Sequence, residues 1–269
     1  MTAAEQHYRS GSLKDAIAAA TEAVRSAPAD MAARSFLGEM LCFAGDLARA
    51  DLQLDAVSQQ DPRTAVGVAL FRQLVRAERA RQEFFAQGRL PEFLATPSPG
   101  IRLRLEASIR VREGALAEAA ALLEQAEAQR PHVSGTCNGQ SFGDFRDLDD
   151  LLAPVLEVLT ANGKYYWVPF EQIESVEFDP PRHARDFLWR PARLSLRGAA
   201  AGQVYVAMLY AGSHAEADEQ VRLGRATEWR GGDGTPVRGS GHRICLVGEQ
   251  DMPLVEINAV RLDATATTS

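Results

Sequence analysis

The chain has 269 residues, 46% of them hydrophobic and 24% charged, with a formal net charge of −7. That length allows two domains with separate cores, and the acidic balance argues against a general binder of nucleic acid or anionic membrane, which recruits Lys and Arg in excess. No stretch approaches the roughly 20 apolar residues that span a bilayer, and the start, Met-Thr-Ala-Ala-Glu-Gln-His, lacks the basic and apolar regions of a secretory signal, so a cytosolic location is expected.

The first half reads as a helical repeat. Counting from Gly11, Leu13 lies at +2, Ala16 at +5, Ala20 at +9 and Pro28 at +17; Gly45 is followed at the same offsets by Leu47, Ala50, Leu54 and Pro62, and Gly114 by Leu116, Ala119, Leu123 and Pro131. The first two copies are 45 − 11 = 34 residues apart, the period of tetratricopeptide repeats. In such a repeat glycine sits in the turn between helices, the small residue at +5 lets the second helix lie close, and proline stops that helix. Tyr8, Cys42 and Val111 occupy the last turn of the first helix of each copy.

The middle copy is degenerate. Gly88, Leu90 and Phe93 keep part of it, but Pro97 and Glu106 take the +9 and +17 positions, and the run 95–100 forms a bend. A long helix is expected before it, from about Thr64 to Gln87 with Val68, Phe71, Leu74 and Val75 on one face, and another from near Ile101. Seven or eight helices up to about Arg130 then pack as a short solenoid, an architecture that commonly presents a groove to a partner.

Residues 131–143 turn to Gly, Ser, Thr, Asn and Cys and read as a linker. Asp144, Asp147, Asp149 and Asp150 follow, ahead of the apolar-periodic run Leu151 to Leu159; capping of a helix start is the expected role of these aspartates. Asn162-Gly163 reads as the helix stop. Short strands are expected at Tyr165–Val168, Ser175–Phe178, Ala192–Leu196, Gln203–Tyr210, Ala226–Arg230, Pro236–Val237, Arg243–Val247 and Leu254–Leu262, with a polar helical or loop insertion at His214–Gly224. The expected fold class is therefore α+β: an all-α, tetratricopeptide-like array over residues 1–130, a linker over 131–143, and a smaller α+β domain over 144–269 with a mainly antiparallel, curved sheet.

Catalytic and metal patterns are sparse. The five histidines, His7, His132, His183, His214 and His242, form no paired motif, and Ser195 is not in a nucleophile elbow. The glycines of 231–234 and 239–241 lack the strand-then-helix context of a phosphate loop and suit hairpin turns. Cys42, Cys137 and Cys245 are odd in number and widely spaced, as free thiols are. The alternative to a non-enzymatic reading is a hydrolase using the Asp144–Asp150 carboxylates, with His132, in a cleft at the domain boundary; a metal held by these groups with Cys137 lacks a second ligand cluster at recognisable spacing. No cofactor is expected.

Aromatic residues concentrate in one window. Tyr165, Tyr166, Trp167, Phe170, Phe178, Phe187 and Trp189 are interleaved with Arg182, Arg185, Arg190 and Arg193 in a chain that is only 7% aromatic. Such a mixture makes either a small core or a protein-binding face, because Arg, Trp and Tyr dominate both. Taken as a face, its candidate contacts are Tyr165, Tyr166, Trp167, Phe170, Arg185, Trp189 and Arg190, joined by Arg225 and Trp229 from Arg-Leu-Gly-Arg-Ala-Thr-Glu-Trp at 222–229.

Four blocks carry a family resemblance: Phe142 to Asp150, Glu157 to Ile173, Arg185 to Ala192 and Leu223 to Trp229. In order and spacing they resemble the ImpE family, also called TagJ or SciE, an accessory component of bacterial type VI secretion; some members have Asp where this chain has Glu228. The resemblance covers nearly the whole chain. It implies a non-catalytic protein that binds the N-terminal helix of the small subunit of the contractile sheath, and the AAA+ ATPase that disassembles contracted sheaths. It supplies no catalytic residues and no assigned partner contacts, and implies neither nucleic acid nor membrane as a partner.

Overall fold

A computed structural model describes residues 1–60 and 65–264; Pro62 and Thr64, expected to end one helix and begin the next, lie outside the described residues. Helices occupy most of the described chain up to residue 127: α1 (Ala3–Ser10), α2 (Leu13–Ser26), α3 (Met31–Phe43), α4 (Leu47–Gln60), α5 (Ala65–Gln87), α6 (Pro99–Glu113) and α7 (Leu116–Glu127). Their starts follow from side-chain oxygens that accept otherwise orphaned amides. Thr2 and Glu5 form a capping box at α1, Asp30 accepts from the Ala33 amide at 3.0 Å, and Ser98 caps α6 with Pro99 in the first turn. Pro28 and Pro131 stand just past the ends of α2 and α7.

The repeat glycines serve two needs at once. Gly11 and Gly45 have φ of 89° and 73°, which only glycine adopts without strain. Both also lie against the second half of the chain. A Cβ on Gly11 would meet the Gln220 amide at 2.3 Å, and one on Gly45 would meet the His214 ring at 2.4 Å.

The remaining residues build strands: β1 (Gly135–Cys137), β2 (Gln140–Phe142), β3 (Phe145–Asp147), β4 (Val155–Leu159), β5 (Tyr165–Pro169), β6 (Ile173–Phe178), β7 (Trp189–Leu196), β8 (Gly202–Ala207), β9 (Thr227–Gly232), β10 (Thr235–Gly241), β11 (Ile244–Val247), β12 (Gln250–Pro253) and β13 (Ala259–Leu262). A short helix, α8 (Glu219–Arg222), and a 3-10 turn at Ser213–Ala215 fill the expected polar insertion. The main sheet has eight strands in the order β2-β1-β13-β6-β7-β8-β4-β5, every described pair antiparallel. Beside it lie the hairpin β9–β10 and the three-stranded sheet β12-β11-β3. The fold class is α+β with a mainly antiparallel sheet after the helices.

Two expectations are corrected here. Residues 131–143 are not a bare linker: β1 pairs with β13, β2 pairs with β1, and Val133, Cys137 and Phe142 enter the core. Residues Leu151–Leu159 are not a helix. After a turn at 151–154 the chain forms β4, all five of whose residues are buried. Val155 and Leu159 face clusters shared with the helices, whereas Leu156 and Val158 face the core on the other side of the sheet. A strand buried on both faces reads as an unbroken apolar run, which periodicity cannot separate from a buried helix. Asn162-Gly163 is accordingly the turn of the β4–β5 hairpin, with Gly163 at φ 80°.

The helices lie directly on the sheet. One cluster joins α1 to α5 with Leu159, Trp189 and Ala207; another joins Phe84, Ile101 and Leu123 of α5 to α7 with Tyr165, Trp167 and Tyr210. The outer edge of β5 is closed by the extended segment after α5: the Glu92 amide donates to the Tyr165 carbonyl at 2.9 Å and its carbonyl accepts from the Trp167 amide at 3.2 Å.

Candidate partner-binding surface

The aromatic window folds inward around a buried ionic network. Glu157 points from β4 toward the helices, fully buried. Arg81 of α5 donates to it from Nε at 2.9 Å and Nη2 at 2.8 Å, and Arg243 donates from the other side at 3.2 Å. Arg243 also holds Asp147 at 2.7 Å, and the Tyr210 hydroxyl donates to the same carboxylate at 2.9 Å. The Tyr165 hydroxyl donates to Glu157 and accepts from Trp167 Nε1 at 2.6 Å. Trp189 Nε1 donates at 3.0 Å to Glu78, which Arg81 also contacts. Each buried charge thus has an opposite charge and polar neighbours, the condition under which such groups are tolerated.

Five of the nine candidate contacts are consequently interior residues. Tyr165, Trp167 and Trp189 are donors in this network; Phe170 packs edge-on against Phe145 at 4.9 Å. Arg190, 2% exposed, donates to the carbonyls of Asp179, Val255 and Ile257. The expectation that these side chains face a partner is corrected: their polar atoms are bonded within the chain and their rings fill its core. Glu39, Glu78, Arg81, Glu157 and Arg243 organise the site, and none was singled out in the sequence. The available signal was a charge inside an apolar run, as with Glu39 between Leu37 and Met40 or Glu157 between Leu156 and Val158.

The other four do not gather at one place. Tyr166 is half-buried on the sheet face away from the helices. Arg185 pairs with Glu39 of α3 at 2.7 Å and lies over Phe71 at 4.9 Å. Arg225 donates to the carbonyls of Tyr8 and Arg9 at the end of α1. Trp229 is 39% exposed and meets Tyr210 edge-on at 5.6 Å.

Each of the four aspartates is engaged by groups of the chain itself. Asp144 is bonded by Arg130, with His132 Nδ1 at 3.2 Å; Asp147 serves Arg243, Asp149 serves Arg238 at 2.7 Å, and Asp150 accepts from the Val237 amide at 2.7 Å. The expected helix capping is replaced by these ion pairs and by a turn in which Asp149 accepts from the Leu151 amide at 3.0 Å. Among the described residues no group of three or more His, Cys, Asp or Glu is placed to hold a metal.

The inner face of the helical array is largely covered by the chain itself. Contacts from the second half of the chain reach α1 through Arg225, α3 through Arg185, and α5 through Trp189 and Glu157. Two clefts remain on either side of the segment 179–188. One, about 350 Å³, lies between that segment and Tyr8, Arg9 and Phe36; the other, about 300 Å³, lies between it and Leu70, Phe71 and Tyr205.

Burial, partly offset by Arg185, pushes the Glu39 carboxyl up to about 6, and burial likewise pushes Asp147 up to about 6 against the pull of Arg243. Burial would raise Glu157 too, but Arg81 and Arg243 bring it below its ordinary value. Glu39 and Asp147 hold a proton in the folded chain where the unfolded chain is still ionised, so they favour folding more as pH falls through about 6. The stabilisation from Glu157 is present above its unfolded value and is lost as pH falls below about 4. Thermal melts should therefore be at least as high at about pH 5.5 as at about pH 7.5, then drop below about pH 4. A melting temperature that declines steadily from about pH 7.5 to about pH 5.5 would contradict the assignment.

Comparison with known proteins agrees with the four sequence blocks. Residues 139–261 match the family described as ImpE protein. The type VI secretion system accessory component TagJ of Pseudomonas aeruginosa is 34% identical over 262 residues, covering 97% of this chain and 92% of that protein. The crystal structure of a Vibrio parahaemolyticus protein superposes with a TM-score of 0.90 at 26% identity, covering 97% of this chain and 98% of the other. The chain belongs to the ImpE/TagJ family.

Proposed function

We propose that the protein is a non-catalytic adaptor of a bacterial type VI secretion system, working in the cytosol. It binds the N-terminal helix of the small sheath subunit and links the sheath to its AAA+ disassembly ATPase. The observation that carries this reading is the end-to-end match to a protein described as a type VI secretion accessory component. On this reading residues 1–130 provide the docking half and the sheet residues brace it, with Arg185, Arg225, Tyr166 and Trp229 as the candidate contacts still at the surface. A repeat array suits an amphipathic helix as ligand, because its helices offer a groove for an apolar face.

Two of the four carboxylates of the hydrolase alternative lend it no support. Asp147 and Asp149 are fully buried and each is held by an arginine, so neither faces a cleft as a base or nucleophile. The adaptor reading predicts that the purified full chain and the cognate small sheath subunit co-elute from a sizing column. Deleting the subunit's N-terminal helix should abolish the complex. Separate elution of the two intact proteins would sink the reading.

A further inference from the structure

The segment 179–188, which joins β6 to β7, packs against α3 between two clefts. It begins at Pro180-Pro181 and makes one 3-10 turn, Ala184–Phe187, over α3. Ala184 and Leu188 pack against the cluster of Leu13, Met40 and Phe43, while Arg185 reaches Glu39 at 2.7 Å. What this face accepts is therefore a turn of helix with small and aliphatic groups beside one cation. The Glu39 side chain is only 8% exposed, so any replacement for the segment must bring a cation of its own or leave a buried carboxylate unpaired.

The segment's ends are tied to the sheet, the Asp179 amide donating to the Pro191 carbonyl and the Leu188 carbonyl accepting from the Met208 amide, both at 2.9 Å, and the residues between are held more lightly. Asp186 is spent on the segment's own amides, Arg182 at 2.7 Å and His183 at 2.9 Å. Phe187 is 39% exposed, and the clefts of about 350 Å³ and 300 Å³ leave both flanks open. We propose that residues 179–188 are a strap that mimics the partner, and that the partner is a basic amphipathic helix which displaces it and pairs a Lys or Arg with Glu39. This rests on the adaptor reading and places the helix on α1, α3 and α5. A partner competing with the strap binds more weakly by the fraction of chains in which the strap is closed.

The test uses the full chain and a peptide spanning the N-terminal helix of the cognate small sheath subunit, with affinity from calorimetry and strap opening from hydrogen exchange. Arg185→Ala, which frees the strap and leaves Glu39 for the partner's cation, should bind about tenfold more tightly, and adding Glu39→Gln to that variant should weaken binding about tenfold. Arg185→Lys should behave like the unaltered chain, and a peptide with its basic residues changed to glutamine should not bind. Peptide binding should speed exchange of the Asp186 and Leu188 amides, which are bonded to the His183 and Arg185 carbonyls. If the peptide binds while those amides stay protected and no substitution alters affinity, the strap is wrong and the adaptor reading stands. If neither the unaltered chain nor Arg185→Ala binds, both fail.

Discussion

Glu157→Ala should cost about 3–5 kcal/mol of stability, enough to leave much of the chain unfolded at physiological temperature. The glutamate is fully buried, and its removal strands Arg81 and Arg243, both enclosed, and takes away the acceptor of the Tyr165 hydroxyl. Arg81 would keep Glu78 and a backbone carbonyl, and Arg243 would keep Asp147, so the damage is a net uncompensated charge rather than wholly bare guanidinium groups. Glu157→Gln keeps the shape and an acceptor but not the charge, and should fall between the two. Chemical denaturation followed by circular dichroism separates them. An alanine variant within about 1 kcal/mol of the unaltered chain would mean that the network is dispensable.

The second large effect concerns the tryptophans. Trp167→Ala should cost about 3–5 kcal/mol, because the side chain is 0% exposed, packs edge-on against Phe84 at 4.9 Å and donates to Tyr165. Trp229→Ala, at a partly exposed position, should cost roughly 1 kcal/mol or less. Alanine substitution of the aromatic window is thus a poor way to map a binding face: a variant of Trp167 or Trp189 loses partner binding by losing its fold. Measured stabilities that are equal for the Trp167 and Trp229 variants would overturn the assignment of one as core and the other as surface.

This contrast shows what could be read in the sequence. The helices were legible because glycine, small residue and proline each meet a separate steric demand at fixed offsets: α2, α4 and α7 each begin two residues after their glycine, and α2 and α7 end before Pro28 and Pro131. Positive φ at Gly11 and Gly45 was also legible; their contact with Gln220 and His214 was not, since it joins residues far apart in the chain. The run Leu151–Leu159 misled because burial on both faces erases the alternation of a strand. Strands β3 and β12, of three and four residues, were too short to leave a pattern.

The aromatic–arginine window was recognised, but its direction was not. Core and interface draw on the same residue types, and only three-dimensional pairing separates them: Arg190 ends on backbone carbonyls, whereas Arg185 ends on Glu39 beside open clefts. The glutamates that hold the interior together, Glu78 and Glu157, were invisible for a related reason. A lone Glu in an apolar run carries meaning only when Arg81 and Arg243, 76 and 86 residues away in sequence, converge on it.

The proposed function requires this chain to bind a helix of the small sheath subunit. Its most direct test is calorimetric titration of the full chain with the peptide of that helix, beside a variant of the peptide carrying a helix-breaking proline. Saturable binding that disappears in the proline variant is the expected result. No heat of binding up to about 1 mM peptide, an affinity weaker than about −4 kcal/mol, would contradict it.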